Sequence, residues 1–303
     1  MQSNENRQSS RIGRRGFLSR LAGGALAGTV APCLLSTARA ADAKWKMRLS
    51  TSSIHYKSLP IEQVCQRIAE LGFDAIDIWS AHAGCPHLDD VQKRLGPDGL
   101  KELLAKHKLE LYAFSVYSGG YRKYAELLAK SGGGVAVSGS AGPCDPKELI
   151  PRMKAFVESK RRDADLAGEN NSYLACENHG HALLDSLDSF KAFVDINKHP
   201  RLGIAMAPYH LQGLKVSVEE AIAVCGKQLF FFYAWQRAPG LNQLPGIGPT
   251  DCEPWIAALA KLSYPWPVNP FMHGEPEPDE MSPALAKSRD YLKKCYAKVV
   301  GSG

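Results

Sequence analysis

The sequence predicts an α/β fold: a single (β/α)8 barrel of eight parallel strands. Three observations carry that reading. Short apolar runs alternate eight times with segments of helical periodicity. The runs are near-continuously apolar, as strands covered on both faces are. Beyond an amino-terminal leader the chain has about 260 residues, near the size at which such a barrel closes. The expected organisation is a leader over residues 1–40 and one barrel over 41–303.

The leader has the three-part plan of an export signal. Arg14-Arg15-Gly16-Phe17-Leu18 is a twin-arginine pair before an apolar start, and a weakly apolar Gly/Ala/Leu segment runs to Leu35. Ala38-Arg39-Ala40 is a small-x-small cleavage site. These features predict an exported, periplasmic-type location reached through the twin-arginine (Tat) machinery. The segment is shorter than the roughly 20 apolar residues of a spanning helix, so no stable membrane anchor is expected. Lipid attachment at Cys33 is disfavoured by Pro32.

Charge follows from the same division. Of the formal +6, residues 1–40 contribute six arginines against the single acid Glu5, leaving the remainder near +1. That leaves no basic footprint for nucleic acid. Seven cysteines follow the leader, an odd number at irregular spacing, which makes a poor disulfide framework and points to core thiols.

The elements read in order as follows. Residues 46–53 form a first strand leading to His55. Ile61, Val64, Ile68 and Leu71 then mark a helix ended by Gly72. Residues 73–79 are the second strand, followed by a His- and Asp-bearing loop, and Leu100, Leu103 and Leu104 mark the next helix. Residues 109–117 are the third strand and 121–130 a short helix. Residues 134–139 are the fourth, with Asp145 and Pro146 opening the helix that carries Met153 and Phe156.

Residues 172–177 are the fifth strand, after which Asp185 is expected to cap a helix through Phe190 and Phe193. Residues 202–207 are the sixth, before a capping box at Ser217-Val218-Glu219-Glu220. Residues 229–235 are the seventh, with Thr250 and Glu253 framing the next helix start. Residues 268–272 are the eighth, with Ser282-Pro283 expected to cap the last helix. No G-x-G-x-x-G follows the first strand, which disfavours an open doubly wound sheet.

A barrel of this kind keeps its chemistry at the strand carboxyl ends. Ser172–Gly180 (S-Y-L-A-C-E-N-H-G) is the richest such end. With a period of two, Tyr173, Ala175 and Glu177 share one face and Leu174, Cys176 and Asn178 the other, so Glu177 is expected to point into the mouth. His179 follows it. The other strand ends offer His55, Trp79, Tyr117, His210, Trp235, Gln236, Arg237, His273 and Glu275.

Two carboxylates with imidazole and amide between them suit a divalent cation such as Mn²⁺, Mg²⁺, Co²⁺ or Zn²⁺. Such an ion would hold a sugar oxyanion while a carboxylate takes the proton alpha to the carbonyl. Trp79, Tyr117 and Trp235 supply flat faces for a sugar, and His55, His179 and His273 polar contacts. Arg237 reads as a grip for phosphate or carboxylate, or as a solvent-facing residue. His82, His87 and His107 read as surface residues.

Together with the leader and the eight βα units, E-N-H at strand five, P-Y-H at strand six and a glutamate after strand eight resemble the xylose isomerase-like (TIM-barrel) sugar phosphate isomerase/epimerase superfamily. The resemblance implies a metal held by side chains from strands five to eight, between two glutamates that move protons. Carried over, Glu177 and Glu275 are those glutamates, and His210 is the histidine of a strand-six D-x-x-H. Ala207 stands at its aspartate and cannot ligate. The resemblance then implies either a ligand set of Glu177, His210, Gln236 and Glu275 or a metal site weakened or lost, with catalysis by Glu177, Glu275 and His210.

The expected function is an exported, metal-assisted carbohydrate isomerase or epimerase acting on a small sugar. The same first step can end in elimination, giving a lyase or dehydratase on keto-sugars or 3-keto-glycosides. A catalytically inactive sugar-binding barrel is the reading from another class, and Ala207 is its main support. An apurinic endonuclease is disfavoured by export and by the near-neutral barrel. Self-association into a homo-oligomer stays open.

Overall fold

A computed structural model describes residues 45–301. The leader, its cleavage site and Cys33 lie outside the described residues. Eight strands form one parallel sheet in chain order: β1 (Ser50–Ser52), β2 (Ala75–Trp79), β3 (Glu110–Ser115), β4 (Gly134–Gly139), β5 (Ser172–Glu177), β6 (Leu202–Met206), β7 (Leu229–Ala234) and β8 (Val268–Pro270). A parallel bridge between Leu49 and Val268 brings the last strand back to the first. The fold is the TIM barrel.

The strands form because their runs are apolar and β-branched or aromatic, and they are covered on both sides. Leu174 and Cys176 face outward into the layer beneath the helices, with Ile204 and Phe232. Ala175, Ala205, Phe231 and Tyr233 face inward and fill the barrel. Gly139 pairs with Glu177, and Glu177 with Ala205, so small neighbours leave room beside the glutamate.

The helices are α1 (Ile61–Glu70), α2 (His87–Asp90), α3 (Gly96–His107), α4 (Gly120–Lys130), α5 (Leu149–Glu169), α6 (Leu187–Ile196), α7 (Pro208–Gly213), α8 (Val218–Cys225), α9 (Glu253–Lys261) and α10 (Pro278–Gly301). Eight of them cover the sheet; α2 and α7 are extra turns in the loops after β2 and β6. In α1 the apolar spacing buries Ile61, Val64, Cys65 and Ile68. Each large aliphatic side chain buried this way contributes about 1.5–3 kcal/mol. No helix among the described residues is long and apolar enough to cross a membrane.

Two expected helix starts move, while α9 begins at Glu253 as expected. Ser186, not Asp185, caps α6, because its hydroxyl and that of Ser189 exchange bonds with each other's backbone amides. At α9 the first-turn amide of Glu253 is accepted by Asp251 rather than by Thr250. α10 begins at Pro278, so Ser282-Pro283 lies inside it, with the Ser282 hydroxyl donating to the Pro278 carbonyl. All seven cysteines among the described residues are thiols, six of them buried.

Candidate active site

The carboxyl ends of the strands surround a cavity of about 700 Å³. Glu177 stands at the end of β5 with its backbone in the strand ladder, and alternation turns it inward beside Ala175. It is 9% exposed, and its Oε2 accepts a 2.6 Å hydrogen bond from the Tyr117 hydroxyl at the end of β3. Burial raises its pKa; the Tyr117 bond and the fields of His179 and His273 oppose that rise. Among the described residues lining the cavity, Glu177 is the one carboxylate, and there is no lysine or arginine.

Aromatic faces make the walls. Trp79 stacks on Phe271 with ring centroids 5.4 Å apart, and Tyr209 on Trp235 at 4.3 Å. Both tryptophans are held by their indole N–H, Trp79 to Asp77 at 2.6 Å and Trp235 to Gln243 at 2.7 Å. Gln243 also accepts from the His273 amide and donates to the His273 carbonyl, which fixes the loop after β8. The rings of His179 and His210 lie 3.9 Å apart at the rim. Burial, then the neighbouring His179, His273 and Arg237, pull His210 down to about 3, so its imidazole is neutral near pH 7.

Several expected site residues take other roles. His55 is 1% exposed: its Nε2 accepts from the Met272 amide, so its proton sits on Nδ1 facing Thr51 Oγ1 at 3.0 Å. Burial foremost takes its pKa down to about 4, and it acts as a neutral strut under the β8 loop. Arg237 is exposed and sits outside the cavity lining, its guanidinium 5.6 Å from the Tyr209 ring centroid; a side chain at Gly213 would collide with it. His87 is buried rather than on the surface, between Cys85 Sγ and the Leu59 carbonyl. His82 is exposed and lines the cavity rim.

The expected metal set is not assembled. Gln236 is fully buried, and the loop after β7 uses both ends of its amide: Oε1 accepts from the Thr250 N–H, and Nε2 donates to the Leu244 carbonyl. Glu275 turns from the cavity into an ion pair with Lys57 at 3.1 Å and a contact with His273 Nδ1 at 3.2 Å. Burial alone would raise the Glu275 carboxyl, but bonds from His273, its own backbone and Lys57 outweigh that and hold it at about 2. Ala207 supplies only its backbone, bonded on both sides to the Asn178 amide. Among the described residues no three His, Cys, Asp or Glu side chains are grouped to hold an ion. The donors present do not fit the metal that the resemblance implies.

Sequence reasoning missed Asp77, Tyr233, Gln243 and Phe271, and read Tyr209 only as part of P-Y-H. Two of these carried a readable signal. Asp77 interrupts an apolar strand on the same face as Trp79, and Tyr233 shares its face with Phe231 and Trp235. Gln243 lies in a loop with no periodicity to read.

A family model described as "Xylose isomerase-like TIM barrel" matches residues 65–295. Among solved structures, a D-psicose 3-epimerase in the presence of D-fructose is 15% identical with a TM-score of 0.65, covering 82% of this chain and 99% of its own. The probable 3-DHS dehydratase AsbF from Bacillus anthracis is 14% identical with a TM-score of 0.64, covering 82% and 99%. The IolI protein with a bound zinc atom is 14% identical with a TM-score of 0.64, covering 84% and 99%. At these identities the likeness is one of fold. No curated protein matches the chain by sequence.

Proposed function

The chain belongs to the xylose isomerase-like TIM-barrel family, and from that premise we propose a carbohydrate isomerase or epimerase in which Glu177 takes the proton alpha to a sugar carbonyl. One observation carries this reading: a buried carboxylate with a raised pKa faces a sugar-sized cavity walled by aromatic rings. A base whose pKa lies nearer neutrality than an ordinary carboxylate is better matched to removing a carbon-bound proton. The sugar lies against Trp79, Tyr209, Trp235 and Phe271, whose faces suit its apolar C–H surfaces. The neutral imidazole of His210 offers an N–H to the oxygen on which negative charge develops, acting as electrophile without first having to lose a proton.

The absence of lysine and arginine from the described lining supports a neutral substrate over a phosphorylated one. A phosphate placed there would meet Glu177 with no opposing cation, since Lys57 is engaged by Glu275 and Arg237 stands outside the lining. Free sugars, keto-sugars and keto-glycosides are the proposed class.

The withdrawn Glu275 favours a second reading. A two-carboxylate epimerisation needs an acid on each side of the reacting carbon, and Glu275 is in no position to be one of them. One carboxylate with adjacent imidazoles suits elimination, with Glu177 taking the proton and an imidazole assisting the leaving group.

Incubation of a panel of neutral sugars in D₂O tests both. Deuterium entering the alpha carbon with the skeleton intact marks the isomerase or epimerase, and loss of a substituent marks the lyase. Both require Glu177. Binding of sugars without exchange would sink both and leave an inactive sugar-binding barrel.

A further inference from the structure

Beneath the cavity floor lies a second buried carboxylate. Asp77 is fully buried on β2 and faces the barrel interior. Its Oδ2 accepts from Ser52 at 2.8 Å and from the Trp79 indole at 2.6 Å, and the Ser115 hydroxyl lies 3.0 Å from both its oxygens. Ser52 is itself held by the Asn269 amide at 3.2 Å. Among the described residues no lysine, arginine or histidine side chain bonds to Asp77. A lone acid at this depth is costly unless its charge is shared or neutralised.

From Asp77 an unbroken line of hydroxyls leads to Glu177. Ser115 Oγ lies 3.4 Å from the Tyr233 hydroxyl, Tyr233 3.2 Å from the Tyr117 hydroxyl, and Tyr117 2.6 Å from Glu177 Oε2. Each member of the line can donate and accept. Tyr233 is 1% exposed and Ser115 fully buried, so bulk water does not compete along the inner part of this path; Tyr117 is half-buried at the cavity.

We propose that Ser115, Tyr233 and Tyr117 form a proton relay through which Glu177 and Asp77 share one proton, with Asp77 as the store that resets the base. The inference rests on the reading of Glu177 as the proton-moving group. In the resting pair Glu177 holds the shared proton and Asp77 the charge, and the base is freed when that proton moves inward. The carboxyl proton passes to the Tyr117 oxygen while the Tyr117 proton passes to Tyr233, that of Tyr233 to Ser115, and that of Ser115 to Asp77. One O–H bond forms as one breaks at each hydroxyl, so Glu177 ends as carboxylate and Asp77 as neutral acid. Glu177 then takes the proton from the substrate carbon, whose electron pair stays on the substrate as an enolate, and gives it back on reprotonation; the reverse relay returns the shared proton to Glu177.

The surroundings of each end are consistent with this exchange. Burial foremost raises Asp77 to about 7, against the bonds from Ser52, Ser115 and Trp79. The titratable groups facing Asp77 are Tyr233, Tyr112 and Cys85, all neutral near pH 7 because burial raises them. Those facing Glu177 are Tyr117, Tyr233, His179 and His273. Keeping one negative charge rather than two in the dry interior is the cheaper state.

Infrared difference spectra of the full chain, with the Asp77 carboxyl band assigned by Asp77→Asn, test the relay without substrate. Glu177→Gln is expected to lower the Asp77 midpoint by at least about one pH unit, the scale of a coupled pair. Tyr233→Phe, which keeps the ring and removes one hydroxyl, is expected to abolish most of that dependence. In turnover, Tyr233→Phe is expected to lower kcat about tenfold with KM held. An Asp77 band indifferent to Glu177, equally sensitive in the Tyr233→Phe background, or fixed in one state between about pH 5 and pH 9 overturns the proposal, as does unchanged kcat. A wild type that exchanges no sugar proton would instead overturn the proposed function, and the titration result would stand apart from it.

Discussion

Lys57 Nζ lies 3.1 Å from Oε2 of Glu275, and this ion pair takes the second glutamate out of the barrel mouth. The two residues are 218 positions apart, on the first and last strand–helix connections. The Glu275 side chain is 4% exposed and the Lys57 side chain 40%, so the glutamate has more to lose when the pair is broken.

Lys57→Met leaves a buried carboxylate with His273 Nδ1 as its remaining side-chain contact. We expect a loss of about 1–3 kcal/mol in urea unfolding at pH 7, the range for an orphaned buried polar group. The sign with pH follows from the depressed pKa of Glu275, about 2. Its contribution is full above the unfolded carboxylate pKa and is lost as pH falls toward 2. The gap between wild type and variant should therefore shrink in unfolding curves recorded at acid pH.

Glu177→Gln should reduce deuterium exchange into a sugar substrate at least about 100-fold, the usual weight of a general base. Glu275→Gln should reduce it less than about tenfold, because Glu275 lies outside the cavity lining. In the wild type, exchange should rise with pH through the raised pKa of Glu177, since the carboxylate is the active form. His210, at about 3, stays neutral throughout and sets no limb of its own. Equal losses in both variants would contradict this assignment.

Tyr209→Ala removes one of two stacked rings and leaves Trp235 tied to Gln243. Sugar affinity measured by calorimetry should fall about 2- to 12-fold, the fold-change equivalent of one aromatic contact. An unchanged affinity would place the sugar elsewhere.

Chelation should change nothing. With Gln236 bound at both ends to backbone and Glu275 paired with Lys57, dialysis against EDTA should leave exchange and the thermal midpoint as they were. A stoichiometric divalent ion in the purified protein, with exchange lost on its removal, would overturn the donor-set argument.

We propose that residues 1–40 direct export, so the mature protein should begin at Ala41. Intact-mass measurement of protein recovered outside the cytoplasm checks this, and replacing Arg14 and Arg15 by lysine should retain the precursor. Recovery of the unprocessed chain alone would count against it.

Much of this protein was legible along the chain. Strand and helix alternation is a local property, set by which neighbours in a run are apolar, and it predicted eight parallel strands close to where they lie. The same period of two put Glu177 on one face and Cys176 on the other, and the structure finds Glu177 at the cavity and Cys176 under the helices. What tertiary structure decided was the partner of each polar group. Gln236 is claimed by Leu244 and Thr250, Glu275 by Lys57, and His55 by Thr51 and Met272. These pairings are settled by loops without periodicity and by contacts across the closed barrel. A strand-end side chain faces the cavity only when no nearer backbone group or opposite charge satisfies it first.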